Sequence, residues 1–163
     1  METTQGSVTS QPRPVNAYAP VDAAGLIAST SWPTLLSLLL ADAVMNSLDS
    51  LLQRIHQSPE SIAFDEVMAV IGEYYDYTPA GFHNGLGDDT LWNAAGTNAG
   101  SCRIFAFARL HQLDEDSTLA CFGSYYRDDV LKFPDGTDHG NIRRFMRDGW
   151  PGIRFESEPL SKR

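Results

Sequence analysis

Apolar residues recur every three or four positions in five segments between Leu48 and Met146, and this spacing constrains the fold more than any other feature. Leu48, Leu51, Leu52 and Ile55 predict a first helix over 47–57, ended by Ser58-Pro59-Glu60. Phe64, Val67, Met68, Ile71 and Tyr75 share one face of a second, which Tyr77-Thr78-Pro79 closes. Ile104, Phe105, Ala108 and Leu110 predict a third over 102–111, with Ser101 as its N-cap. Asp114 caps a fourth reaching about Leu131, whose stripe is Leu119, Phe122, Tyr126 and Val130 and whose acidic first turn suits the helix dipole. Asp138 caps a fifth over 139–148 with Ile142, Phe145 and Met146 inward, and Gly149 suits the position after its end.

Between the second and third helices, residues 80–100 are glycine-rich and irregular, with Leu91-Trp92 as a short strand; Ile153-Arg154-Phe155 alternates like another. No internal repeat stands out. These elements predict an α+β fold, predominantly α-helical, with about five helices and a few short strands; an all-α architecture is the alternative.

Residues 1–44 break this pattern. They are rich in Ser, Thr, Gln, Pro and Ala, with one base, Arg13, which predicts a poorly structured or weakly helical extension ahead of a domain over 45–163. The apolar run 35–40 lies too far from the start, and lacks the basic segment, to be a secretory signal. Three readings fit: a helical extension packing Leu35, Leu36, Leu39 and Leu40; a leader read by a secretion machine; or a true start at Met45.

A formal charge of −9 argues against nucleic acid as a partner, since phosphate contacts need surplus Lys and Arg. No apolar stretch is long enough for a membrane span. Cys102 and Cys121 lie in apolar runs without the spacing of a disulfide framework, which points to reduced thiols in the cytoplasm. The charge is uneven: residues 45–126 carry eleven acids against three bases, and residues 127–163 seven against eight. Intramolecular pairing of the two halves explains this, as does a site for an anion. The sequence carries no signal of oligomeric state.

Long motifs then carry a family resemblance. FDEVMAVI, YDYTP, FHNG, NAAGTNAGSCRIFAFARLH, TLACFGSYYRDDVL, DGTDHGNIRRFMRDGW and GIRF, spanning about Leu48 to Leu160, resemble the HopJ type III effector family. The resemblance implies a domain starting near Met45 and delivery by type III secretion. It implies no reaction, cofactor or catalytic residue.

The residues themselves suggest where chemistry could reside. Cys102, in the first turn of a helix starting at Ser101, would have a lowered thiol pKa; His139 or His111 could serve as base, with Asn141 or Asn93 orienting it. The plainer account is a small buried thiol. His111, His139, Cys102 and Cys121, or His83 with Asp88 and Asp89, lack the close pairing of a zinc site, so no metal is expected, and no cofactor. The segment 135–139 is too short for a calcium loop, and 96–100 lacks the ending of a phosphate loop. Arg143 and Arg147 share a helix face and with Arg127 could hold a carboxylate or phosphate, or could pair with Asp128, Asp129 or Asp148. Asn84 and Asn98 read as loop ties, Asn93 and Asn141 as better site candidates. The first functional reading is a domain that binds a protein or an anionic small ligand through Tyr125, Arg127, Asp129, His139, Asn141 and Arg143. Its alternative is a small enzyme using Cys102, His139 and Asn141, and a third reading is purely structural.

Overall fold

The computed structural model describes residues 47–163. The expectations for residues 1–44, and for a domain boundary at Met45, lie outside the described residues.

The first helix, α1 (Leu48–Gln57), starts where Ser47 Oγ accepts the Ser50 amide at 3.2 Å, and it buries Leu51 and Ile55. A 3-10 turn (Pro59–Ser61) leads to α2 (Phe64–Tyr74), which buries Val67, Val70 and Ile71. The second helix does not continue through Tyr75. That residue becomes extended and begins β1 (Tyr75–Tyr77), which pairs antiparallel with the C-terminal β5 (Leu160–Lys162), Tyr77 opposite Leu160. Two aromatic residues around Asp76, followed by Thr78-Pro79, favour the strand once a partner from the far end of the chain is present.

The β1 start also shapes a titration. Tyr75 Oη and His111 Nε2 share a 2.7 Å hydrogen bond, with Phe107 packed against the imidazole at 4.6 Å. Burial, and then the Lys162 charge, lower the His111 pKa below its ordinary value. The unfolded chain therefore binds this proton more readily, and the stability His111 contributes is complete above about pH 6.5 and lost as pH falls through its folded pKa. Urea denaturation at pH 7.5 and 5.5 is expected to show a smaller acid loss in His111→Gln than in wild type; equal losses would refute the assignment.

A second sheet, in the order β3-β2-β4, is built from β2 (Phe82–Asn84), β3 (Leu91–Asn93) and β4 (Arg154–Phe155), with His83 opposite both Trp92 and Arg154. The central helix is α3 (Ala99–Leu110), buried on nearly every side through Cys102 and Ile104–Ala108. Phe105 is its hub: its ring lies 6.0 Å from Phe82, 5.4 Å from Phe122 and 4.9 Å from Phe145. The fourth helix, α4 (Glu115–Ala120), has the expected Asp114 cap, which accepts the Ser117 amide at 2.8 Å. It does not run on to Leu131. Gly123 adopts φ +60°, and the chain resumes as a π-helical segment over Tyr125–Val130. The last helix is α5 (Gly140–Asp148), closed by Gly149 at φ +58°. The fold is α+β and predominantly helical. The two small antiparallel sheets set aside the all-α alternative.

Candidate functional site

Two of the expected helix starts are shifted, and the shift creates the site. Neither Ser101 nor Asp138 caps a helix. Asn98 and His139 do, each in the left-handed conformation at φ 49° and ψ 42°. Asparagine and histidine are among the residues that tolerate this region, whereas the usual N-cap is extended. Neither residue supplies a side-chain cap, so the amides of Gly100 and Ser101 in α3, and of Gly140 and Asn141 in α5, have no acceptor among the described residues.

Both helix starts face one cavity of about 330 Å³. Its polar lining comes from Asn98, Gly100, Ser101, His139, Gly140 and Asn141, and its apolar lining from Phe64, Leu91, Phe122, Tyr125 and Ile142. Gly100 allows the close approach of Phe64: a Cβ there would stand 2.9 Å from the end of the Phe64 ring. Tyr125 packs edge-on to Phe64 at 5.1 Å and lies 5.4 Å from the His139 ring. The π-helical segment that carries Tyr125 also carries Asp129, whose Oδ2 is 3.1 Å from His139 Nε2; Asp138 Oδ2 stands at 3.7 Å. With Nε2 engaged by Asp129, a ring carrying protons on both nitrogens would have Nδ1–H left as a donor for an anion.

Behind the cavity lies a buried asparagine network. Asn84, Asn93 and Asn141 are 0%, 1% and 5% exposed. Asn84 Nδ2 donates to the Asn141 carbonyl at 2.8 Å and to Asn141 Oδ1 at 3.0 Å. Asn93 Nδ2 donates to Asn141 Oδ1 at 3.1 Å, and Asn141 Nδ2 returns a bond to Asn93 Oδ1 at 2.8 Å. Asn98 Nδ2 also donates to Asn93 Oδ1, at 2.7 Å. Strands β2 and β3 are thereby tied to the starts of α3 and α5. Buried amides are costly unless bonded, so their mutual satisfaction fixes the two helix starts against the sheet. Asn84 Oδ1 is buried with no partner among the described residues. Asn98 is thus a network member rather than a loop tie, while Asn84 does tie a backbone carbonyl and joins the network as well. The signal for Asn84 was the alternation in FHNG, which turns Phe82 and Asn84 to the same buried face.

The candidate residues do not all meet here. His139 and Asn141 line the cavity, and Asp129 orients the histidine. Arg127 turns away, donating to the carbonyls of Ile62 at 2.9 Å and Pro59 at 3.4 Å. Arg143 clasps the turn before α5, donating to the Asp138 and Pro134 carbonyls and to Asp138 Oδ1. Arg144 and Arg147 both bind Asp89, and Arg147 also binds Asp148. Arg147 and then Arg144 hold the Asp89 carboxyl below the usual range. Cys102 is the clearest correction. With α3 beginning at Ala99, the thiol leaves the first turn and sits in the core at 1% exposure, 3.7 Å from the Ala80 carbonyl. Burial pushes its pKa up, the opposite of an activated nucleophile. It does not line the cavity that holds His139 and Asn141. Cys121 is a buried free thiol, its pKa pushed up to about 12 by burial. Among the described residues, no three His, Cys, Asp or Glu side chains gather as metal ligands. His83 packs on Trp92 at 4.6 Å. No helix among the described residues is long and apolar enough to cross a membrane.

No curated protein matches the chain. The crystal structure of the unknown-function protein VPA0580 is similar, with a TM-score of 0.68 and 50% sequence identity over 71% of this chain and 93% of that one. The family model described as HopJ type III effector protein matches residues 48–160. That span runs from the first residue of α1 to the first of β5, and takes in every residue of the cavity and of the asparagine network. The chain belongs to the HopJ type III effector family.

Proposed function

We propose that this chain is a binding domain for a small anionic ligand, held in the cavity between the starts of α3 and α5. The observation that carries this reading is the convergence on one cavity of about 330 Å³ of His139 and of first-turn amides from both helices that have no acceptor among the described residues. First-turn amides and the positive ends of helix dipoles favour negative charge, and a cavity of this size lies within the range of small-molecule sites. The arginines that could have formed a separate anion site are engaged with backbone carbonyls and acidic side chains. This favours a small ligand over a broad basic surface for a protein partner. The π-helical segment adds support, since such irregularities are frequent at functional sites.

The test is an NMR titration of the full chain with phosphate and benzoate at millimolar concentration. Binding is expected to shift the amides of Gly100, Ser101, Gly140 and Asn141. His139→Asn keeps a residue suited to the left-handed position and removes the ring. It is expected to weaken binding about tenfold, or roughly 1.4 kcal/mol. Cys102→Ala is expected to leave affinity unchanged. If neither anion moves those four amides, the proposal fails.

A further inference from the structure

The cavity lining mixes polar and apolar groups, and the apolar ones constrain the ligand beyond its charge. A phosphate or acetate held by the polar groups would leave the half-buried Phe64 and Leu91 and the exposed Tyr125 uncovered. Apolar surface gains free energy when a ligand covers it. Tyr125 sharpens the constraint. It is 41% exposed although rings flank it on two sides, Phe64 at 5.1 Å and His139 at 5.4 Å. A third ring packing on this row would find the edge and offset contacts aromatic groups prefer. We propose that the ligand is a ring-bearing organic carboxylate, its ring against Phe64 and Tyr125 and its charge toward His139 and Asn141. The inference rests on the anion-binding reading of the same cavity and adds the ligand's chemical class.

Calorimetric titration of the full chain with acetate, benzoate and benzyl alcohol tests both layers. Benzoate is expected to bind at least about tenfold more tightly than acetate, with benzyl alcohol weaker than benzoate by a similar factor. Tyr125→Ala is expected to remove most of the preference for benzoate over acetate, and Tyr125→Phe to restore the preference. Tyr125 is exposed enough for these variants to fold, which a thermal melt confirms before titration. Equal binding of acetate and benzoate would overturn the ring inference while the anion reading stands. Equal binding of benzoate and benzyl alcohol would overturn the anion reading and the inference with it. No binding by any of the three overturns both. A benzoate preference that survives Tyr125→Ala overturns the proposed placement of the ring.

Discussion

Replacing Asn141 with alanine is expected to lower the stability of the domain by roughly 2–3 kcal/mol and to weaken anion binding more than tenfold. The side chain is the crossing point of the buried network: Oδ1 accepts from Asn84 and Asn93, and Nδ2 donates to Asn93. Alanine removes all three bonds. Asn84 Nδ2 keeps the backbone carbonyl of residue 141, so its loss is partial. Asn93 Nδ2 is left with two long contacts of 3.4 Å, to the carbonyls of Phe82 and Leu91. A buried polar group left without a partner costs about 1–3 kcal/mol, more than the bond itself contributed. Asn141→Asp should be worse, because a carboxylate would face Asn93 Oδ1 without the donor that now bridges them. Urea denaturation of Asn141→Ala, Asn93→Ala and the double variant measures the effect. In a working network the double variant loses less than the sum of the singles. A loss below about 0.5 kcal/mol for Asn141→Ala, the range of an ordinary surface change, would show the network to be incidental. The binding effect follows because the Gly140 and Asn141 amides keep their place only while the asparagines hold the start of α5 to the sheet.

Much of the helical framework could be read from local sequence because its causes are local. The stripes of α1 and α2 and the Asp114 cap each lie within a turn or two of chain, and they appear where the spacing puts them; α5 buries Ile142 and Phe145 as expected but leaves Met146 exposed, and Leu110 at the end of α3 is exposed too. The failures share a different cause. Strands β1 and β5 are three residues long, too short for a period to show, and each forms only because the other is present. The left-handed caps at Asn98 and His139 were hidden because Ser101 and Asp138 carry the usual capping side chains a few residues away. That small shift decided the fate of Cys102. A thiol three positions deeper in α3 turns from a helix start into the core. For the arginines, the pairing account fits Arg143, Arg144 and Arg147, although their acidic partners are Asp138, Asp89 and Asp148, and Arg127 seeks carbonyls instead. Of the binding residues expected from sequence, the cavity retains His139, Asn141 and Tyr125, with Asp129 behind the histidine. Gly100, Ser101, Gly140 and the apolar wall were missed, because helix stripes say which residues are inward and not where two inward faces leave a gap.

Gly123→Ala is expected to cost roughly 3 kcal/mol, combining about 1–2 for a left-handed residue with about 1–3 for overpacking. An added Cβ would stand 2.6 Å from the Phe64 amide nitrogen and 3.3 Å from the Ala63 carbonyl carbon, and neither backbone atom can swing aside as a side-chain tip could. Gly123 also accepts the amides of Tyr126 and Arg127 at the start of the π-helical segment, so relief of the clash must move that segment away from α2. Phe64 and Tyr125 stand on opposite sides of this contact and share the cavity wall. The substitution should therefore weaken benzoate binding as well as stability. Gly87 provides the matched control: its φ of +62° is close to the +60° of Gly123, but a Cβ there meets nothing within 4 Å. Gly87→Ala should carry the conformational cost alone, about 1–2 kcal/mol, with benzoate binding unchanged. The difference between the two variants in urea denaturation isolates the packing against Phe64. Equal destabilisation would mean that the chain relaxes around Gly123 without strain, and that the break between α4 and the π-helical segment is set by backbone preference rather than by the approach of α2.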